Sequence, residues 1–305
     1  RKEIFVFGLY FDDYETPVFR PPSEANSFIL RVTRGCAHNR CTFCAMYKDV
    51  PFSVYTDEAV DRQIAMAAHY AGDEDGALPA DGDAFVLPTE KLLALLARLY
   101  GTFPNLQRVT SYAGPKDILR KSDEELLRLR EAGLKMLILA LKQGLAAPAA
   151  DSKGVTAEES IAAGQKVVRS GMKLSMMVIA GLGGAAGSAT SCPLRPHMQY
   201  PRFSLTMLSV LTLRLYKERD VREFEEGKFE LLSPCGLAEE VRTFLSHIEL
   251  PPIGTVFFRS NHISNYVPLK GTLPKDRDRL LQELDVSIGK LSKLTDWEVY
   301  TNMEY

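Results

Sequence analysis

The chain has 305 residues, about twice the usual single-domain length, which leaves room for one large closed barrel or two smaller domains. With 46% hydrophobic, 25% charged and 9% aromatic residues it has the composition of a packed globular protein, excluding a disordered, collagen-like or coiled-coil chain. Lys and Arg number 37 against 39 Asp and Glu, a net charge of −2, so no global basic field is available for sequence-independent nucleic-acid binding.

In chain order, residues 27–33 (SFILRVT) read as a strand delivering a cysteine-rich loop. Thr56-Asp57-Glu58 is an N-cap with an acidic first turn, opening a helix to about residue 72. A weak strand at 77–80 ends in the tight turn Asp81-Gly82-Asp83, after which Thr89 caps a helix closed by Gly101. There follow a strand at 106–112, a capped helix at 122–132, a buried strand at 134–141, a helix at 156–170 and a strand at 172–180. Its apolar stretch 174–182 (LSMMVIAGL) is too short to span a bilayer, and a soluble, cytoplasmic protein without membrane partners is expected. Residues 183–202, rich in Gly and Pro, break the alternation and make a poor helix. Beyond them come a sixth strand at 203–213, a helix at 237–248, an extended piece at 255–259 and a last helix at 275–294. Strands alternating with ten-to-fifteen-residue helices predict an α/β fold with a parallel sheet in six βα units, forming one domain with extensions at both ends.

Of the five cysteines, Cys36, Cys41 and Cys44 fall within nine residues, while Cys192 and Cys235 are isolated and read as inert, buried side chains. Three thiolates on one loop can converge on a single centre, and thiolates favour zinc or iron–sulfur clusters. A structural zinc site closes with four protein ligands, and a four-cysteine cluster needs a further cysteine, whereas the next here is Cys192. On a cubane of four irons, three cysteines leave one iron open to a substrate or cofactor. His38, inside the loop, is either a fourth ligand or a residue that shapes the longer loop through hydrogen bonds, the second being the reading adopted. A zinc-binding or electron-transfer module that docks a partner remains the other reading of the loop.

The segment from Gly35 to Lys48, Gly-Cys-Ala-His-Asn-Arg-Cys-Thr-Phe-Cys-Ala-Met-Tyr-Lys, preceded by Arg20-Pro21-Pro22-Ser23-Glu24-Ala25, resembles the cluster loop of the radical S-adenosylmethionine superfamily. The second gap and Phe43 fit the family's usual spacing, and the first gap holds four residues instead of three. The resemblance, covering roughly residues 20 to 270, implies a partial (β/α)6 TIM-like barrel over 27–215, an N-terminal extension at 1–26 and a C-terminal extension at 216–305. It further implies a [4Fe–4S] cluster on Cys36, Cys41 and Cys44 as the catalytic and metal-binding residues. S-adenosylmethionine would bind the open iron and be cleaved reductively to a 5′-deoxyadenosyl radical, which abstracts hydrogen from a small-molecule or peptide substrate. An oxidoreductase or transferase of this kind draws its electron from an external donor such as flavodoxin or ferredoxin. By the same resemblance, the cofactor is contacted by Phe43, Tyr47, the turn Asp81, Gly82 and Asp83, Ser111, Lys142 in place of a glutamate, and Gly181 and Leu182. Lys142 and the 183–202 segment also admit a barrel that has lost catalysis.

Tyr112 ends the third strand and reads equally as packing or as a substrate contact. The run from Phe258 to Tyr266 is dense in hydrogen-bonding side chains, and Arg259, Asn261, His262 and Asn265 either line a substrate pocket or cap their own loop.

Overall fold

The computed structural model describes residues 18–24, 26–41, 44, 46–70, 75–141, 155–184, 205–214, 230–250 and 254–293. They fall into two compact units, one within Arg1–Asn39, Met46–Ala140 and Glu158–Leu174, the other within Arg40–Ala45, Leu141–Ala157 and Ser175–Tyr305.

The first unit contains β1 (Phe28–Arg31), β2 (Thr33–Arg34), β3 (Ser53–Val54), α1 (Asp57–Tyr70), β4 (Gly76–Ala80), α2 (Thr89–Thr102), β5 (Arg108–Ala113), α3 (Pro115–Arg120), α4 (Asp123–Glu131), β6 (Leu134–Leu141) and α5 (Ala157–Arg169). Strands β1, β4, β5 and β6 lie side by side in chain order, all parallel. That is the order of a barrel wall, in which each crossover helix returns the chain to the next strand, and it contrasts with the reversed order of a doubly wound sheet. β1 and β4 are buried at every position, as strands covered on both faces must be.

β1 pairs with β4 from Phe28↔Ala77 to Arg31↔Ala80. The other edge of β1 is closed by α1, whose Gln63 side chain accepts the Arg31 N–H (2.9 Å) and donates to the Arg31 carbonyl (3.0 Å). The β4–β5 ladder stops at Ala77↔Val109, so Pro79, which has no N–H, falls beyond the last pair on that side. Phe28 and Phe103, both buried, pack with ring centroids 5.8 Å apart between strand and helix layers.

The second unit contains β7 (Lys173–Ala180), β8 (Leu205–Thr212), α6 (Pro234–His247), β9 (Val256–Ser260), β10 (Leu269–Leu273) and α7 (Arg277–Leu291). Its strands are again in chain order, β8 parallel to β9 and β9 antiparallel to β10.

All six predicted strands form, and the fold is α/β and mostly parallel, as the sequence predicts. Thr56 caps α1 by accepting the Ala59 N–H, and Ser122 and Glu125 form a reciprocal capping box on α4. Thr89 does not cap α2: Pro88 occupies the cap, and the Thr89 hydroxyl donates to Glu125 at 2.6 Å. Cys235 is half-buried rather than buried, and burial followed by the nearby Glu239 pushes its thiol up, which keeps it protonated. Cys192 and residues 185–202 lie outside the described residues. No helix among the described residues is long and apolar enough to cross a membrane.

Candidate functional site

The cysteine loop leaves β1 through β2 and returns through β3, and the antiparallel pairs Thr33↔Val54 and Arg34↔Ser53 close its stem. Higher up, Asn39 Nδ2 donates to the Tyr47 carbonyl (2.7 Å), and Lys48 Nζ donates to the Asn39 carbonyl (3.0 Å). Cys36 is partly exposed within the first unit. Cys41 is buried and Cys44 partly exposed in the second, where the Cys44 N–H meets the Cys41 carbonyl at 3.4 Å. None of the three is in a disulfide. Among the described residues, no three His, Cys, Asp or Glu side chains are grouped so as to hold a metal ion.

The turn after β4 meets the loop at its first cysteine. Asp81 and Arg31 form an ion pair with both side chains fully buried, Arg31 Nη2 at 2.7 Å from Oδ2 and Nε at 3.2 Å from Oδ1. Oδ2 also accepts the Gly35 N–H at 3.0 Å, while the Gly82 N–H donates to the Gly35 carbonyl at 3.1 Å. Gly82 is required by closeness: a Cβ there would stand 2.9 Å from Cys36 Cβ and 2.9 Å from Tyr47 Cε2. Tyr47, 4% exposed, lies edge-on to Phe19, and burial, with Asp81 next in weight, pushes its phenol far up. Asp83 is buried and accepts the Gly114 N–H on Oδ2 at 3.0 Å. That bond bridges β4 and β5 where their backbone ladder has ended.

Ser111 is buried, and its hydroxyl donates to the Tyr112 carbonyl at 3.0 Å. Adjacent residues on a strand face opposite sides, so Tyr112 shares its face with Arg108 and Thr110. Burial and then the Glu24 carboxylate push the Tyr112 phenol well up. Glu24, itself fully buried, accepts from Ser27 Oγ at 2.5 Å and lies 3.5 Å from Arg108 Nη2.

In the second unit, Gly181 and Leu182 are buried at the end of β7. Gly181 has a φ of +89°, the left-handed region that glycine occupies without penalty. Its N–H donates to Glu240 Oε2 on α6 at 2.7 Å. Burial pushes the Glu240 carboxyl up to about 7, the Gly181 bond opposing it.

At the end of β9 and after it, several polar side chains bond to neighbouring backbone. Asn265 Nδ2 donates to the Val210 and Ser260 carbonyls (2.8 and 2.9 Å), and its Oδ1 accepts from Thr212 Oγ1. Arg259 Nη1 donates to the Phe258 and Gly271 carbonyls. His262 Nδ1 accepts the Ser264 N–H at 3.1 Å, which puts the ring proton of neutral His262 on Nε2. Burial, then Arg214, pulls the imidazole below its ordinary value. Asn261 is exposed. Phe43 and Lys142 lie outside the described residues.

Sequence reasoning missed Arg31 and Glu240. Arg31 carried a signal, being a charged residue inside an otherwise apolar strand, where only a partner makes burial tolerable. Glu240 carried none, since it lies on a helix 59 residues from its partner.

No protein-family model and no curated protein matches the chain. Among solved structures, the chain is similar to the radical S-adenosylmethionine methyltransferase TsrM from Kitasatospora setae, solved with cobalamin and a [4Fe-4S] cluster bound. The TM-score is 0.50 and the identity 18%, over 72% of this chain and 42% of that one. It is also similar to native anSMEcpe with bound AdoMet and Cp18Cys peptide, at a TM-score of 0.50 and 13% identity, over 72% of this chain and 58% of that one. The chain thus spans about half the length of the structures it matches. At such identities the likeness is one of fold, and the fold it identifies is the partial TIM barrel of radical S-adenosylmethionine enzymes.

Proposed function

We propose that the protein is a radical S-adenosylmethionine enzyme, with a [4Fe–4S] cluster held by Cys36, Cys41 and Cys44 and S-adenosylmethionine as its second cofactor. The observation that carries the reading is the meeting of Cys36, the first cysteine of the loop, with the turn after β4, where Gly82 stands bare against it on a fold of this class. The donor set fits: three soft thiols on one loop, none of them in a disulfide, suit iron and sulfide, and metal binding itself gathers such ligands. When bound, the two groups supply one-electron cleavage of a carbon–sulfur bond and a carbon radical able to abstract hydrogen.

The chain's own residues then bind, orient and exclude water. Asp83, the carboxylic side chain that ends the turn after β4, suits the ammonium group of S-adenosylmethionine. The Gly181–Leu182 turn, strapped by Glu240, suits the adenine side. Tyr47, buried against Gly82, would shield the cluster from solvent. Tyr112 and Nε2–H of His262 would face a small-molecule or peptide substrate, the first as a phenol held protonated, the second as a neutral donor. The electron would come from an external protein donor.

The test is anaerobic reconstitution of the full chain with iron and sulfide, followed by dithionite and S-adenosylmethionine. Formation of 5′-deoxyadenosine is expected, and its loss in Cys36→Ala. A cluster-loaded protein that yields none refutes the assignment, and a colourless, zinc-loaded protein would favour a metal-binding module instead.

A further inference from the structure

We propose that Asp81 and Arg31 are positioning residues for Cys36, a buried ion pair that sets the first thiol of the loop in place before any metal arrives. The inference rests on the reading of Cys36 as a cluster ligand.

Three features of the first unit carry it. The Gly35 peptide, immediately before Cys36, is gripped on both sides by the turn after β4: its N–H donates to Asp81 Oδ2 (3.0 Å) and its carbonyl accepts the Gly82 N–H (3.1 Å). The grip is itself anchored. The Asp81 N–H donates to Thr33 Oγ1 (3.0 Å) and lies 3.1 Å from the Thr33 carbonyl, and Arg31 binds both oxygens of the Asp81 carboxylate. Arg31 in turn is fixed through its backbone by Gln63 and lies over the Tyr55 ring at 5.7 Å. Every link runs inward, and both side chains of the pair have no solvent exposure.

A buried ion pair is a poor way to add stability, because desolvating two charges offsets most of their attraction, whereas it fixes geometry well. The arrangement is a support behind a ligand, and losing such supports typically weakens metal binding about 10–100-fold.

The test uses the full chain with Asp81→Asn, Arg31→Lys and Thr33→Val. In the metal-free protein, alkylation of Cys36 by iodoacetamide is read against Cys235 in the same molecule by mass spectrometry. After reconstitution, iron loss to a chelator is timed. Both substitutions in the pair should raise the Cys36-to-Cys235 ratio several-fold and speed iron loss by about 10-fold or more. Thr33→Val, which removes one anchoring acceptor, should move both in the same direction by less. If Asp81→Asn does not fold, the other two variants decide. An unchanged alkylation ratio in folded Arg31→Lys overturns the proposal. A wild-type protein that takes up no iron refutes the proposed function instead, a result visible before any variant is made.

Discussion

At Gly82 a single added methyl group has nowhere to go, since it would enter the 2.9 Å gap to both Cys36 and the Tyr47 ring. Gly82→Ala should therefore cost about 1–3 kcal/mol by overpacking, read in urea unfolding, and should alter the near-ultraviolet signal of Tyr47. Glu240 makes a pH-dependent prediction. Its carboxyl is pushed up to about 7 in the folded chain from an ordinary value of 4.5, so between those values the folded state holds a proton that the unfolded state has released. Stability from this group is thus full below about pH 4.5, falls as pH rises toward 7, and stays low above it. Glu240→Gln, which still accepts the Gly181 N–H, should flatten that slope and raise stability at pH 8 by up to about 3 kcal/mol in thermal or urea unfolding. At this scale the cysteines and the Asp81-Gly82-Asp83 turn were legible, because spacing along the chain brings them to notice. The partners were not: that Asp81 binds Arg31 and Gly35, or that Glu240 reaches Gly181, is set by strand order and helix placement.

Among the elements, α4 is the one whose local sequence specifies its own start. The Ser122 hydroxyl accepts the Glu125 N–H at 3.0 Å, and the Glu125 carboxylate accepts the Ser122 N–H at 2.6 Å. Ser122→Ala should cost about 1 kcal/mol in urea unfolding without changing the folded structure. The long helices and the six strands were readable because period, cap and glycine stop agree within each segment. α3, six residues long, and β10, with Lys270 and Gly271 at its centre, were not, since neither offers a periodic run. β10 exists because β9 offers an edge to pair with, from Leu269↔Ser260 to Leu273↔Val256. Thr89 shows the opposite failure: its local signal was that of a cap, and Glu125 from another helix claimed its hydroxyl.

For the whole molecule, a net charge of −2 argues against counterion-driven binding of nucleic acid. In 0.15 M salt, fluorescence anisotropy with a random-sequence DNA duplex should show affinity weaker than about 10⁻⁴ M. Each unit also has its own apolar core, and in the second Phe244 is fully buried on α6, so Phe244→Ala should cost about 3–5 kcal/mol. The sequence by itself determined the fold class, the six strands and the cysteine loop, because hydrophobic periodicity, caps and ligand spacing are properties of neighbouring residues. Tertiary structure alone decided which partners the polar side chains inside the protein take. Asp81 binds Arg31 and Gly35, Asp83 accepts from Gly114, Glu240 from Gly181, and Asn265 bonds to β8 and to Ser260. The physical reason is that a buried polar group takes whatever partner the fold brings within about 3 Å, and no local pattern encodes that distance.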